Sequence, residues 1–211
     1  MIIAIDGPAG AGKSTIARGL AEALELDLLD TGAMYRAFAV AAFRKGTDFN
    51  VIELIDQVLI DFGPSPDRKI RLDGVDVSEE IRSLEISQMA SQLSTVSEVR
   101  RAMVAAQQSI ISVGNWVLEG RDVTTVVAPK ADLKIFLTAS IEERARRRWV
   151  EMVAKGDPVT LPAVVKEVVE RDHRDYTRDD SPLMLAEDAI IVESFGLSPD
   201  EIIERIVAKT Q

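Results

Sequence analysis

The apolar and polar positions at the start of the chain change period within a few residues. Ile2 to Ile5 is a short, β-branched, almost wholly apolar run, which predicts a strand buried on both faces. Gly7-Pro8-Ala9-Gly10-Ala11-Gly12 interrupts it, and Ile16, Leu20, Ala23 and Leu24 then recur at helical spacing before Leu28-Leu29 predicts a second strand. Apolar runs of strand length return at Trp116 to Leu118, Leu133 to Leu137 and Ala189 to Val192, each followed by a helical pattern. Five such strands separated by helices predict a parallel sheet covered on both faces. Two helix starts are marked by side-chain chemistry: Ser140 to Glu143 and Ser198 to Glu201 both fit a capping box, the second with Pro199 at the first helical position.

The stretch from about Gly32 to Asn115 is too long for a simple crossover. Most of it has helical spacing, but residues 69–77 alternate around Asp73-Gly74, which predicts a hairpin and hence a small antiparallel element inside an insertion. Repeats, low-complexity tracts and Gly/Ser/Pro-rich linkers are absent. The length of 211 residues fits one domain.

Composition narrows the function. With 25 Lys plus Arg against 35 Asp plus Glu, the formal charge of −10 argues against a nucleic-acid binder, which needs basic surface facing phosphates. No cysteine and a single histidine exclude thiol nucleophiles and cysteine-ligated metals, and leave little room for His-based triads. The start of the chain lacks a signal peptide's basic region, and the longest uncharged apolar run, Ala37 to Phe43, is far short of a membrane span, so no membrane role and a cytoplasmic location are expected. Arginines outnumber lysines 17 to 8. Arginine's planar fork recognises phosphate and carboxylate, so the bias points to an anionic ligand.

Gly7 to Ser14 matches G-x-x-x-x-G-K-S/T between a buried strand and a helix. Such a loop turns backbone N–H groups around phosphate oxygens at the positive end of a helix dipole. Gly7, Pro8, Ala9, Gly10, Ala11, Gly12, Lys13, Ser14 and Thr15 are therefore the ATP-binding candidates, with Lys13 on the β and γ phosphates and the Ser14 hydroxyl on Mg²⁺. The loop alone admits GTPases, ATPases and small-molecule kinases. Neither Asn50 nor Asn115 begins N-K-x-D, and no D-x-x-G occurs, so a switch GTPase is poorly supported.

Three further stretches, Asp30-Thr31-Gly32-Ala33-Met34-Tyr35-Arg36, Glu119-Gly120-Arg121-Asp122 and Arg171 to Arg178, occur in one order with Asp73 to Ser78, Lys134 to Leu137 and Ser181-Pro182-Leu183. In these the chain resembles, nearly end to end, the bacterial type of cytidylate kinase. The resemblance implies an α/β fold: a P-loop nucleoside monophosphate kinase core of about 1–30, 113–147 and 179–211, a monophosphate-binding insertion of about 31–112 and a helical lid of about 148–178. It implies transfer of the γ-phosphoryl of Mg·ATP to CMP or dCMP by a monomer. Residue by residue, it implies that Ser91, Arg100 and Asp122 face cytosine, with Thr31 in the same pocket, that Tyr35 binds substrate, and that Arg36, Arg121 and Arg178 hold the acceptor phosphate. Asp175 and Arg171 would lie near the ribose, and Arg147, Arg148 and Arg171 would meet the transferring group. Other acceptors, UMP, AMP or shikimate, remain open, as does a regulatory protein that hydrolyses ATP slowly. The chain departs from the family pattern at Thr124, where glycine is usual, at Lys155 to Pro158, and at Glu193 to Gly196.

Electrostatics independently calls for several fixed cations. ATP and a nucleotide acceptor bring about six negative charges together, counting roughly two per monophosphate. Unit charges ~4 Å apart repel by ~4 kcal/mol at an effective dielectric of ~20. Arg144, Arg147 and Arg148 share one helix face, as do Arg171, Arg174, Asp175 and Arg178. No general base is needed, because a phosphate monoester with a second pKa near ~6 is largely dianionic at neutral pH.

Overall fold

The computed structural model describes residues 1–47, 49–63 and 68–210. The chain forms two compact units, Met1–Leu29 with Ile111–Gln211, and Asp30–Ile110.

The first unit is built on a five-stranded parallel sheet. Its strands are β1 (Ile2–Asp6), β2 (Asp27–Asp30), β6 (Trp116–Glu119), β7 (Leu133–Thr138) and β8 (Ile190–Glu193), in the order β2-β6-β1-β7-β8. β1 is central, with Ile5 opposite Glu119 on one side and Ile135 on the other. Each predicted apolar run is one of these strands. Two helices, α1 (Lys13–Ala23) and α8 (Pro199–Val207), pack on one face: Ile16, Leu20, Ile202 and Ile206 meet Ile3, Ile5, Val117, Ile135 and Leu137, all nearly or wholly buried. Burying side chains of this size stabilises by about 1.5–3 kcal/mol each. Ser198 and Glu201 complete a reciprocal capping box on α8, whereas Ser140 caps α6 (Ile141–Ala154) through the Glu143 N–H and the Glu143 carboxylate is taken by Arg146 and Arg147. A turn containing Gly156 leads to α7 (Leu161–Thr177), which packs against α6.

In the second unit, α2 (Thr31–Lys45) is apolar nearly all round, because it packs against both α4 (Leu84–Leu93) and a three-stranded antiparallel sheet. That sheet contains the predicted hairpin, β4 (Ile70–Leu72) and β5 (Val75–Asp76), and adds a strand that the alternation did not reveal, β3 (Ile60–Phe62). Two more helices, α3 (Val51–Gln57) and α5 (Ser97–Ile111), complete the chain. No helix among the described residues is long and apolar enough to cross a membrane.

Candidate functional site

The glycine loop joins β1 to α1 at the C-terminal end of the central strand, where α/β sheets bind ligands. Gly7 has no alternative: a Cβ there would lie 2.0 Å from the Leu137 carbonyl oxygen. Gly12 caps α1 in the left-handed conformation, at φ +94°, and leaves the first N–H groups of the helix without a side-chain cap. Lys13 is buried, its Nζ donating to the carbonyls of Gly7 and Pro8 at 2.8 Å each. Burial lowers its pKa to about 7, and the nearby charge of Arg121 adds to the fall. The Ser14 hydroxyl donates to the Glu119 carboxylate at the end of β6. Ser14 and Glu119 together present only oxygen, which suits a hard divalent cation. Among the described residues no cluster of three or more His, Asp or Glu side chains could hold a metal by itself, so a cation here would take most of its ligands from phosphate and water.

The loop tip is held by the two α6/α7 helices. The Ala9 N–H donates to Asp172 at 3.3 Å, the Ala9 carbonyl accepts from Arg144 at 2.9 Å, and Arg144 and Asp172 form a buried ion pair at 2.7 Å. Arg147 donates to Glu143 at 2.8 Å and, through both terminal nitrogens, to the hydroxyl and carbonyl of Ser194, each at 2.9 Å. Ser194 in turn donates to the Ala11 carbonyl at 3.2 Å, which ties the loop after β8 to the P-loop. Arg148 pairs with Glu167 of α7 at 2.7 Å.

Beside β6, Arg121 donates to Asp175 at 2.9 Å and to the Gly120 carbonyl at 3.1 Å. Asp175 also pairs with Arg178 at 3.5 Å, and Arg178 donates to the Ser181 carbonyl at 2.8 Å. Burial works to raise the Asp175 pKa, but the charges of Arg121, Arg171 and Arg178 outweigh it and hold the carboxyl below its usual value. This unit therefore brings together Lys13, Ser14, Arg121, Arg171, Asp175 and Arg178, a P-loop beside concentrated fixed positive charge. Asp122, buried, precedes a π-helical turn, Val123–Val127. His173 is exposed on α7.

In the second unit, Asp30 caps α2 through the Ala33 N–H and pairs with Arg36 at 2.7 Å. Thr31 in the same first turn is buried. Arg100 is 1% exposed, lies 5.5 Å over the Tyr35 ring and donates to the Ser94 carbonyl at 3.2 Å, while the Ser91 carbonyl accepts from Ser94. The unit thus links Tyr35 to Arg100 and, through Ser94, Arg100 to Ser91, and pairs Arg36 with Asp30.

Sequence reading gave no role to Asp6, Glu119, Asp172 or Ser194, and counted Arg144 only among the cations of one helix face. Their signal was weak, because each acts through a contact with a residue distant in the chain: Asp172 is 163 positions from Ala9 and Glu119 is 105 from Ser14.

Comparison with known proteins places these features in a family. The family model described as cytidylate kinase matches residues 3–211. A protein named cytidylate kinase from Carboxydothermus hydrogenoformans is 48% identical over 98% of this chain and 96% of its own length, and one from Solibacter usitatus is 47% identical over 98% and 90%. Among solved structures, a gluconokinase from Sinorhizobium meliloti is similar with a TM-score of 0.50 at 14% identity, covering 98% of this chain and 89% of that one, a likeness of fold alone.

Proposed function

Because the chain belongs to the cytidylate kinase family, we propose that it transfers the γ-phosphoryl group of ATP to CMP or dCMP, giving CDP or dCDP and ADP. The observation that carries this reading is the likeness to cytidylate kinases over residues 3–211, and the P-loop with its adjoining arginines is the chemistry it calls for.

An oxygen of the acceptor phosphate attacks the γ-phosphorus as the bond from that phosphorus to the β–γ bridging oxygen breaks, and ADP leaves. The acceptor is already dianionic, so no side chain has to remove a proton. What the chain supplies is position and fixed charge. The N–H groups at the start of α1 receive the donor phosphates, and Lys13 exchanges its two carbonyl acceptors for phosphate oxygens. Ser14, with Glu119 beside it, would hold Mg²⁺, which supplies charge neutralisation on the β and γ phosphates when bound. Arg121 and Arg178, oriented by Asp175, are assigned to the acceptor phosphate, as is Arg36; Arg171 and Asp175 are assigned to the ribose. Arg147, beside the last P-loop glycine, Arg148 and Arg171 meet the transferring group. Ser91, Arg100 and Asp122 are assigned to reading cytosine, and Thr31 and Tyr35 to substrate binding. The protein is assigned as a cytoplasmic monomer acting on free nucleotides.

The test is ADP release with a panel of acceptors, CMP, dCMP, UMP, AMP and shikimate. Turnover is expected with CMP and dCMP far above the rest; turnover led by another acceptor, or none stimulated by any acceptor, refutes the assignment.

A further inference from the structure

Arg121 and Asp122 lie on a short loop between β6 and the π-helical turn, and what holds that loop is the end of β1. The Gly120 N–H donates to the Ile5 carbonyl at 3.0 Å, which extends the parallel pairing of β1 with β6. The second anchor is a side chain. The Asp6 carboxylate accepts from the Val123 N–H at 3.0 Å, the Thr124 N–H at 2.8 Å and the Thr124 hydroxyl at 2.5 Å. Asp6 is 0% exposed. An ionised carboxylate in such a place is costly unless donors fill its lone pairs, and here three donors do so from two consecutive residues.

The chain thus places a buried charge where an apolar residue would complete the strand as Ile3 and Ile5 do. In return, residues 123 and 124 can satisfy that charge in only one place, so the loop ahead of them is fixed at both ends. We propose that Asp6 is a positioning residue for Arg121 and Asp122, with the Thr124 hydroxyl as the third donor that holds it in place. The proposal rests on the kinase reading above, since it concerns how that reaction's residues are held.

The electrostatics agree with the geometry. Burial raises the Asp6 pKa to about 6; the Thr124 hydroxyl and N–H oppose the rise and the charge of Asp122 adds to it. The other ionisable groups on the adjoining elements are Glu119, paired in register with Ile5 on β6, Lys13, Arg18 and Glu22 on α1, and Lys134 on β7, which is engaged by Asp188. The positioning state is the ionised one, so it is lost as pH falls through about 6.

The experiment measures kcat for CMP phosphorylation at saturating ATP and CMP from about pH 5 to 9 for wild type, Thr124→Val and Thr124→Ser. Valine keeps the shape and removes one hydrogen bond to a charged acceptor, which should move the acid limb up by about one pH unit. With a wild-type limb near 6, kcat should then be about fivefold low at pH 6, about twofold low at pH 7 and close to wild type above pH 8. Serine keeps the hydroxyl and should restore the wild-type profile. Ionisation of the acceptor itself is common to all three and cancels. Asp6→Asn, which cannot ionise, should give a low kcat with no limb from this group. A Thr124→Val profile that superposes on wild type, or is lowered by one factor at every pH, overturns the proposal, as does an Asp6→Asn enzyme as fast as wild type. Absence of CMP turnover in the wild type would instead refute the underlying function and is read in the same plate.

Discussion

The contact of α6 and α7 with the P-loop makes a quantitative prediction. Arg144 and Asp172 are 5% and 12% exposed at their side chains, pair at 2.7 Å and grip the carbonyl and the N–H of Ala9. Arg144→Met keeps the aliphatic stem but leaves Asp172 buried with the Ala9 N–H as its recorded donor. Removing one member of a buried pair costs about 3–5 kcal/mol, because the other charge stays buried without its counter-ion. For a chain of this size that corresponds to a fall in Tm of roughly 6–20 °C, at about 2–4 °C per kcal/mol. Asp172→Leu should cost a similar amount. The double variant removes both charges and should cost less than the sum of the singles by about 2 kcal/mol or more. Function should follow stability. With Ala9 released on both sides, donor binding should weaken by about tenfold, so the stabilisation conferred by a fixed excess of ATP should shrink by about 1.4 kcal/mol. The assay is urea unfolding of the four proteins with and without ATP. Additivity within about 0.5 kcal/mol, together with an unchanged ATP effect in the double variant, would refute the claim that this pair couples α6 and α7 to the phosphate loop.

Other outcomes follow from the same site. Lys13→Ala and Arg121→Ala should each lower kcat by about 10²-fold or more, since a preorganised donor at the reacting phosphates contributes ~3–4 kcal/mol; near-normal turnover removes the residue from the site. Glu119→Gln should raise the Mg²⁺ concentration for half-maximal rate and leave KM for CMP unchanged, and the opposite pattern would place Glu119 with the acceptor. Asp122→Asn, which adds a donor where the cytosine amino group needs an acceptor, should lower CMP turnover and narrow the CMP-to-UMP ratio; an equal fall for both makes Asp122 a scaffold residue. A bisubstrate analogue joining adenosine and cytidine phosphates should slow amide hydrogen exchange across residues 148–178, and unchanged exchange at saturation would refute lid closure over the reactants.

How the sequence and the fold divide the work is clearest in particular elements. β1, β6 and β7 were legible because strands of a parallel sheet buried on both faces read as continuous apolar runs. The capping box of α8 was legible because its hydrogen bonds join residues three apart. The P-loop was legible for the same reason: its conformation depends on local glycines, and on the requirement at Gly7 that nothing project toward Leu137. β3 was missed because three residues are too few to display alternation, and only pairing with β4 makes them a strand.

The arginines show the limit most directly. Their number and helical spacing marked an anion site, yet spacing alone could not tell Arg144, which grips Ala9 and Asp172, from Arg148 on the same face, which pairs with Glu167. By itself the sequence determined the sheet's strands, the phosphate loop and the class of ligand, since each depends on neighbours in the chain. Tertiary structure alone decided the strand order, the burial of Asp6 beneath the Arg121 loop, the placement of Glu119 at Ser14 and the anchoring of Ala9 by α6 and α7. These depend on donors and acceptors more than a hundred residues apart, whose energies exist only once the sheet has brought them within hydrogen-bonding distance.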